Sequence, residues 1–281
     1  MTIFNAIIQG IIQGLTEFLP ISSSGHLALY QHFTNKTLES GLLFSVMLHL
    51  GTLAAIFAVY RKTIAELFIE FFKAIGDIFT GDFKKNINNS SRRLLIMLFI
   101  SCLPLFFIYI FKDFYESVAG RPNLIFEGIC FLITAVLLFM ADKCVKGKKD
   151  ESNMKYKDSI IIGVVQAVLA PLPGVSRSGS TISTGLLSGL SKEFAVKYSF
   201  ILGIPTILGG SVFEISGAIK ELKTVALAPI IVGFFVSAIV GYMSMKMVKW
   251  IVNKDKFKIF TIYTTVLGIV VILIGVYEAI L

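Results

Sequence analysis

Apolar residues in this chain come in blocks of about twenty, separated by short polar segments, and the blocks set the architecture. Six segments read as full membrane spans: about 41–60, 94–112, 123–141, 194–217, 225–245 and 258–280. Each is long enough as a helix to cross a hydrocarbon core of roughly 30 Å. Two further apolar stretches, 3–18 and 159–170, are too short, and each runs into proline, at Pro20 and at Pro171 and Pro173. Eleven helical residues rise only about 17 Å, roughly half the core. A half-helix, a Pro-Gly-Ser break and a second short apolar piece describe a re-entrant hairpin. Such irregular backbone survives at membrane depth only where protein or a wet cavity surrounds it.

The polar connections alternate in charge. Segments 61–93, 142–158 and 246–258 hold seven, six and five Lys or Arg, whereas 113–122 holds Arg121 alone and 218–224 holds Lys220 and Lys223. By the positive-inside rule the basic set faces the cytoplasm and both termini face outward. Within 61–93, the run Ile64 to Phe72 has the pattern of an amphipathic helix lying on the inner surface.

Composition agrees with this picture. The chain is 55% hydrophobic and only 16% charged, with a mean hydropathy of +0.80, against about 25% charge in soluble domains. The formal net charge of +8 sits in the connections between spans, so it argues for topology and not for nucleic acid. Cys102 and Cys130 fall in apolar spans and Cys144 in a Lys-rich loop; three such cysteines are no disulfide framework. The start, Met1 to Asn5, lacks a basic n-region, so no cleavable signal is expected.

The two halves resemble each other. A shift of 153 places Gly10-Ile11-Ile12-Gln13 on Gly163-Val164-Val165-Gln166, Leu19-Pro20 on Leu172-Pro173 and Ser23 on Ser176. With one residue inserted, Phe44-Ser45 meets Tyr198-Ser199, Leu48 meets Leu202, and Thr52 meets Thr206. One hairpin plus three spans is an odd number of crossings, so the second half must be upside down. The expected fold is an all-α polytopic membrane protein, one domain over 1–281, with an inverted-topology repeat of six transmembrane helices and two re-entrant hairpins. Repeat 1 covers about 1–141, a cytoplasmic loop 142–158, and repeat 2 about 159–281.

Chemistry concentrates at the two breaks. Glu17 lies in an apolar half-helix, where a carboxylate costs about 2.5–3.5 kcal/mol unless it meets a cavity or a partner. Gln13, four residues earlier, shares its face. The pair suits a hard cation, Mg²⁺ or Ca²⁺; alternatively Glu17 serves only to salt-bridge Arg177. After Pro20 come Ser22-Ser23-Ser24-Gly25-His26. Some of these serines cap a helix whose N-terminus is an anion site. Ser23 and His26, three apart, are spaced to pair as nucleophile and base. Of the other histidines, His32 lies toward the outer surface and His49 within a span, and neither is the expected partner. The second break reads Pro173-Gly174-Val175-Ser176-Arg177-Ser178-Gly179-Ser180-Thr181. Arg177 is the only charged residue between Asp158 and Lys192, and its planar fork matches phosphate oxygens. Gly174 and Gly179 allow close backbone approach, while Ser176, Ser178 and Thr181 add hydroxyls.

These two motifs resemble the undecaprenyl-diphosphate phosphatases, also called bacitracin-resistance proteins. That family pairs Glu or Gln, three residues, Glu-Phe-Leu-Pro, a Ser-rich triplet, Gly and His with a second motif, Pro-Gly-x-Ser-Arg-Ser-Gly-x-Thr. Residues 13–26 and 173–181 match both, and the resemblance extends over the whole chain. It implies hydrolysis of a C55 polyprenyl diphosphate to the monophosphate and inorganic phosphate, at the outer face of the bacterial plasma membrane, recycling the carrier for cell-wall synthesis. It further implies that Glu17 and Gln13 organise a divalent metal and that Ser23 is the nucleophile. His26 would act as base or as phosphoryl acceptor. Arg177 with Ser22, Ser24, Gly174, Ser176, Ser178 and Thr181 would hold the diphosphate. Many members carry Glu where this chain has Gln13, so a neutral ligand stands there. The expected partners are the lipid substrate and the bilayer, with a homodimer left open. The rival reading is a transporter or flippase of the lipid monophosphate, since inverted repeats with broken helices recur in transporters.

Overall fold

The structure is a computed structural model that describes all residues except 35–40, 84, 85, 88, 112–114, 116, 118–123, 145, 146, 222–225, 255 and 281. The loop cations Lys84, Lys85, Arg121, Lys146 and Lys223, used above to orient the spans, lie outside the described residues.

Eleven α-helices are present among the described residues: α1 (Ile3–Phe18), α2 (Ser23–Thr34), α3 (Leu42–Val59), α4 (Arg61–Thr80), α5 (Ser90–Ile108), α6 (Leu124–Lys143), α7 (Tyr156–Leu169), α8 (Arg177–Leu187), α9 (Lys192–Glu221), α10 (Leu227–Asn253) and α11 (Lys258–Ile280). Six of them, α3, α5, α6, α9, α10 and α11, contain stretches long and apolar enough to cross a membrane. The protein is a multi-pass membrane protein. Their outward faces carry large apolar side chains such as Phe99, Phe106, Phe107, Val136, Phe235, Ile239 and Leu273, which suits contact with lipid.

The spans differ from the sequence expectation mainly at their ends. α5 begins at Ser90, earlier than the apolar run, because the Asn89 side chain accepts from the Ser91 and Arg92 backbone N–H groups and caps the helix. α10 continues to Asn253, eight residues past the apolar stretch, its Lys246 and Lys249 ammonium groups lying over the rings of Tyr242 and Tyr60. The amphipathic run falls inside α4, which leaves Phe68, Phe71, Phe72 and Phe79 exposed. Its other face is held to α5 by Arg92, buried to 1% exposure, whose Nε lies 2.6 Å from Glu70 Oε1 and whose Nη2 lies 2.7 Å from Asp77 Oδ2.

Helices meet where small residues let backbones approach. α1 packs on α10, with Gly10 and Gly14 against Val236 and Val240; α6 packs on α11, Gly128 against Gly268 and Ile272; α7 packs on α5, Gly163 against Ser101. α3 lies between α10 and α9. The largest buried cluster runs through Phe18, Leu53, Ile56, Phe200 and Leu202, with the Phe18 and Phe200 rings edge to face at 5.2 Å. That contact fixes the end of α1, and so Glu17, against α9.

Candidate active site

Each short helix pair turns at a serine-capped break. In the first, Ser22 Oγ accepts from the Gly25 N–H at 3.2 Å. In the second, Ser176 Oγ accepts from the Gly179 N–H at 3.0 Å. Ser22 has φ 75°, the only non-glycine positive φ among the described residues, a conformation costing on the order of 1 kcal/mol for a non-glycine residue. It is held by the His26 backbone N–H and ring, both of which donate to the Ser22 carbonyl. The corresponding turn at Gly174 has φ 92°, which glycine adopts freely.

The two breaks touch. Gly174 N–H donates to Ser24 Oγ at 3.4 Å, and Ser178 Oγ donates to the Leu19 carbonyl at 3.3 Å. A Cβ on Gly25 would come within 3.1 Å of Gly174 Cα. The first turns of α2 and α8 therefore lie side by side, presenting two sets of free N–H groups and two positive helix ends to one place.

At that place a cavity of about 210 Å³ opens, lined by Thr16, Glu17, Ser23, Ser24, Ser176, Arg177, Ser178, His49, Thr206, Ser211 and Glu214 together with apolar residues. Its floor is one hydrogen-bonded unit. Arg177 Nη2 lies 2.7 Å from Glu17 Oε1, and Nη1 donates to the Ser199 carbonyl at 3.2 Å. Glu17 Oε2 accepts from Ser23 Oγ at 2.8 Å and from Gln13 Nε2 at 3.0 Å. The guanidinium fits because residue 203 is glycine: a Cβ there would stand 2.7 Å from Arg177 Nη1. The serine hydroxyl thus points its proton at a carboxylate oxygen, and a guanidinium stands on the same carboxylate. Such a set can orient a hydroxyl for attack while offering positive charge to an anion.

Six of the residues singled out from sequence line the cavity: Glu17, Ser23, Ser24, Ser176, Arg177 and Ser178. Five do not. Gln13, fully buried, gives Glu17 its amide NH₂ and keeps Oε1 without a partner, away from the cavity. Ser22 and Gly174 shape the turns. Thr181 stands behind Arg177, donating to the Arg177 carbonyl and sharing a 2.6 Å hydrogen bond with Ser199 Oγ. The expected Ser23–His26 pair does not form. Ser23 turns to Glu17, and both His26 nitrogens are taken: Nδ1–H by the Ser22 carbonyl at 2.6 Å, Nε2 by Tyr263 OH at 2.6 Å. The ring is held along α2 by the carbonyl four residues before it.

Conversely, Thr206, Ser211 and Glu214 line the cavity and were not singled out, and His49, set aside above in favour of His26, lines it too. Glu214 carried a readable signal, as an acid near the end of an apolar span. A polar residue one face away in α3, such as His49, carries none until the α3–α9 contact is known.

At the expected Gln13–Glu17 pair, Glu17 faces three donors, and Gln13 turns its nitrogen toward the carboxylate while its oxygen has no partner.

Residues 6–270 match the family described as bacitracin resistance protein BacA. The chain is 39% identical over 279 residues to a protein of Alkaliphilus metalliredigens named undecaprenyl-diphosphatase, covering 97% of this chain and 98% of that one. A protein of the same name from Carboxydothermus hydrogenoformans is 36% identical over 278 residues, covering 98% of each. Another, from Methanosphaera stadtmanae, is 36% identical over 282 residues, covering 98% and 99%.

Proposed function

The chain belongs to the BacA family and is an undecaprenyl-diphosphatase, and from that premise we propose how its cavity works. The observation that carries the mechanism is the Ser23–Glu17–Arg177 unit on the cavity floor. Ser23 Oγ attacks the terminal phosphorus of the diphosphate, its proton passing to Glu17 Oε2. The bond to the bridging oxygen breaks, and the lipid monophosphate leaves with the electron pair. Arg177 and the first-turn N–H groups of α2 and α8 meet the charge on the phosphoryl oxygens. Water then releases inorganic phosphate, and the Ser23 oxygen recovers its proton from Glu17.

The divalent cation, Mg²⁺ or Ca²⁺, is proposed to arrive with the substrate, on the oxygens of the diphosphate itself, as hard cations commonly do at phosphate-handling sites.

The inverted repeat is proposed on the packing. α1 lies on α10 as α7 lies on α5; α3 contacts α10 as α9 contacts α5; α3 meets α9, and α6 meets α11. Exchanging the halves returns each of these pairings. The serine caps Ser22 and Ser176 fall 154 apart, as do Gly25 and Gly179. Ser23 and Arg177 are then counterparts, and the inserted residue lies in the tip. Two re-entrant hairpins meeting tip to tip follow from that arrangement.

The outward opening is proposed on depth. Val46 and His49 lie in the first eight residues of α3, the half away from Arg61 and Lys62. Thr206 to Glu214 lie about 21–33 Å along α9 from Lys192. The cavity thus sits toward the helix ends remote from the basic segments, the outer ends by the positive-inside rule.

The test is phosphate release from C55 diphosphate by purified protein in detergent. Ser23→Ala is expected to lower turnover by at least about 100-fold, with substrate still bound; full turnover in that variant would remove Ser23 from the mechanism.

A further inference from the structure

We propose that His49 is the general base that activates the attacking water in the hydrolysis, and that Glu214 supports it from the opposite wall. This deepens the phosphatase reading above and rests on it.

The floor of the cavity accounts for the departure of the lipid phosphate but not for the water. In the phosphoseryl state Glu17 holds the proton taken from Ser23 and must return it to the same oxygen, so it cannot accept a second one from water. Another proton acceptor has to face the cavity. Two histidines lie nearby, and their hydrogen bonds separate them. A backbone carbonyl only accepts, so a ring nitrogen bonded to one carries the proton. His26 Nδ1 is bonded to the Ser22 carbonyl, and its Nε2 is occupied by Tyr263. His49 Nδ1 is bonded to the Ser45 carbonyl at 2.9 Å, which leaves Nε2 of the neutral ring as the unprotonated nitrogen. No residue among those described holds that nitrogen, and His49 lines the cavity. The tautomer that α3 imposes is the one a base requires.

Charge around the ring fits the role. The groups facing His49 are the Glu17 carboxylate from α1, the Arg177 guanidinium from α8 and the Glu214 carboxylate from α9, all lining the same cavity. Both carboxylates are within electrostatic reach of the imidazole. α10, which also packs on α3, contributes no charged group to the cavity; its Lys246 and Lys249 stand at the other end, over Tyr242 and Tyr60. α4 follows α3 at that same far end with Arg61 and Lys62. An imidazolium formed in the reaction is therefore balanced by Glu214 while Glu17 is protonated, and Glu214, exposed toward the mouth, offers the proton a route to solvent.

The step balances as follows. A water O–H breaks and its proton goes to His49 Nε2 while the oxygen forms a bond to phosphorus. The phosphorus–Ser23 bond breaks, the Ser23 oxygen takes the proton held by Glu17, and His49 later releases its proton to water.

The experiment uses the full-length protein in detergent with C55 diphosphate labelled in the terminal phosphate. His49→Gln is expected to keep a burst of one equivalent of lipid monophosphate. It should slow phosphate release about 100-fold or more, accumulate label on Ser23, and lose the acidic limb of the rate–pH profile. In His49→Gly, added imidazole is expected to restore turnover, which a folding defect would not permit. Glu214→Gln is expected to slow the same step without affecting the burst. Turnover of His49→Gln within about threefold of the unsubstituted protein, with the acidic limb still in place, would overturn the proposal, as would failure of imidazole to rescue a folded His49→Gly. A separate outcome tests only the Ser23 reading: full hydrolysis in Ser23→Ala with loss of the limb in His49→Gln would keep His49 as the base for direct attack of water on the diphosphate.

Discussion

Glu17 and Arg177, 160 positions apart, meet at 2.7 Å inside the cavity, and the carboxylate that holds the guanidinium also holds the hydroxyl of Ser23. Both charges are largely buried, so each is tolerable chiefly because the other is present. Glu17→Gln leaves Arg177 without its counter-charge, and Arg177→Gln does the same to Glu17. Each single variant is expected to lose activity at least about 100-fold and to lose about 3 kcal/mol of stability, the usual result of orphaning one member of a buried pair. The double variant should regain most of the thermal midpoint in detergent and none of the activity.

Gly203 makes a second test of that geometry. Its Cβ, if present, would stand 2.7 Å from Arg177 Nη1 and 3.0 Å from Nη2. Because the guanidinium is the movable partner, Gly203→Ala is expected to displace it and lower turnover by about tenfold or more, with a smaller fall in thermal midpoint than Arg177→Gln. Phosphate release and a melting curve on the same sample check both halves.

Removal of divalent cations should separate substrate from scaffold. If the cation travels on the diphosphate, EDTA abolishes phosphate release, and excess Mg²⁺ or Ca²⁺ restores it. The melting curve of the substrate-free protein does not move. A cation held by the protein itself would stabilise the folded form and raise that curve.

Outside the membrane, Asp77 supplies a pH signature. The hydrogen bond from Asn86, followed by that from Arg92, holds its carboxyl below the ordinary aspartate range. A depressed folded value means the contribution to stability is fully present above the unfolded value and is lost as pH falls through the folded one. Asp77→Asn is therefore expected to lower the thermal midpoint at neutral pH, and the difference from the unsubstituted protein should close only at strongly acidic pH. Melting curves of the two proteins from neutral pH downward test this.

How much of this was readable beforehand follows from what each feature depends on. The six spans depend on local hydropathy, and α11 matches its expected bounds of 258–280. Glu17 and Arg177 announced themselves as charges with no local partner in apolar surroundings, which leaves each other as the remedy. Spacing misled at His26: three residues along a helix allow contact with Ser23, but the Ser22 carbonyl is nearer and captures the ring. Sharing a face brought Gln13 to Glu17, but it does not decide whether the oxygen or the nitrogen of the amide turns that way. His49 and Glu214 could not be paired from sequence, because their proximity arises from α3 lying on α9, a tertiary contact with no local signature.

The packing of α1 on α10 bears on biosynthesis. The first short helix, with Glu17 near its end, emerges from the ribosome more than two hundred residues ahead of the surface that finally covers it. Until 227–253 has been inserted, its Gly10 and Gly14 have only lipid, the translocation machinery or a temporary neighbour to touch. Enzymatic competence should therefore arise late and all at once, and a nascent chain stalled before α10 should leave its N-terminal helix open to protease.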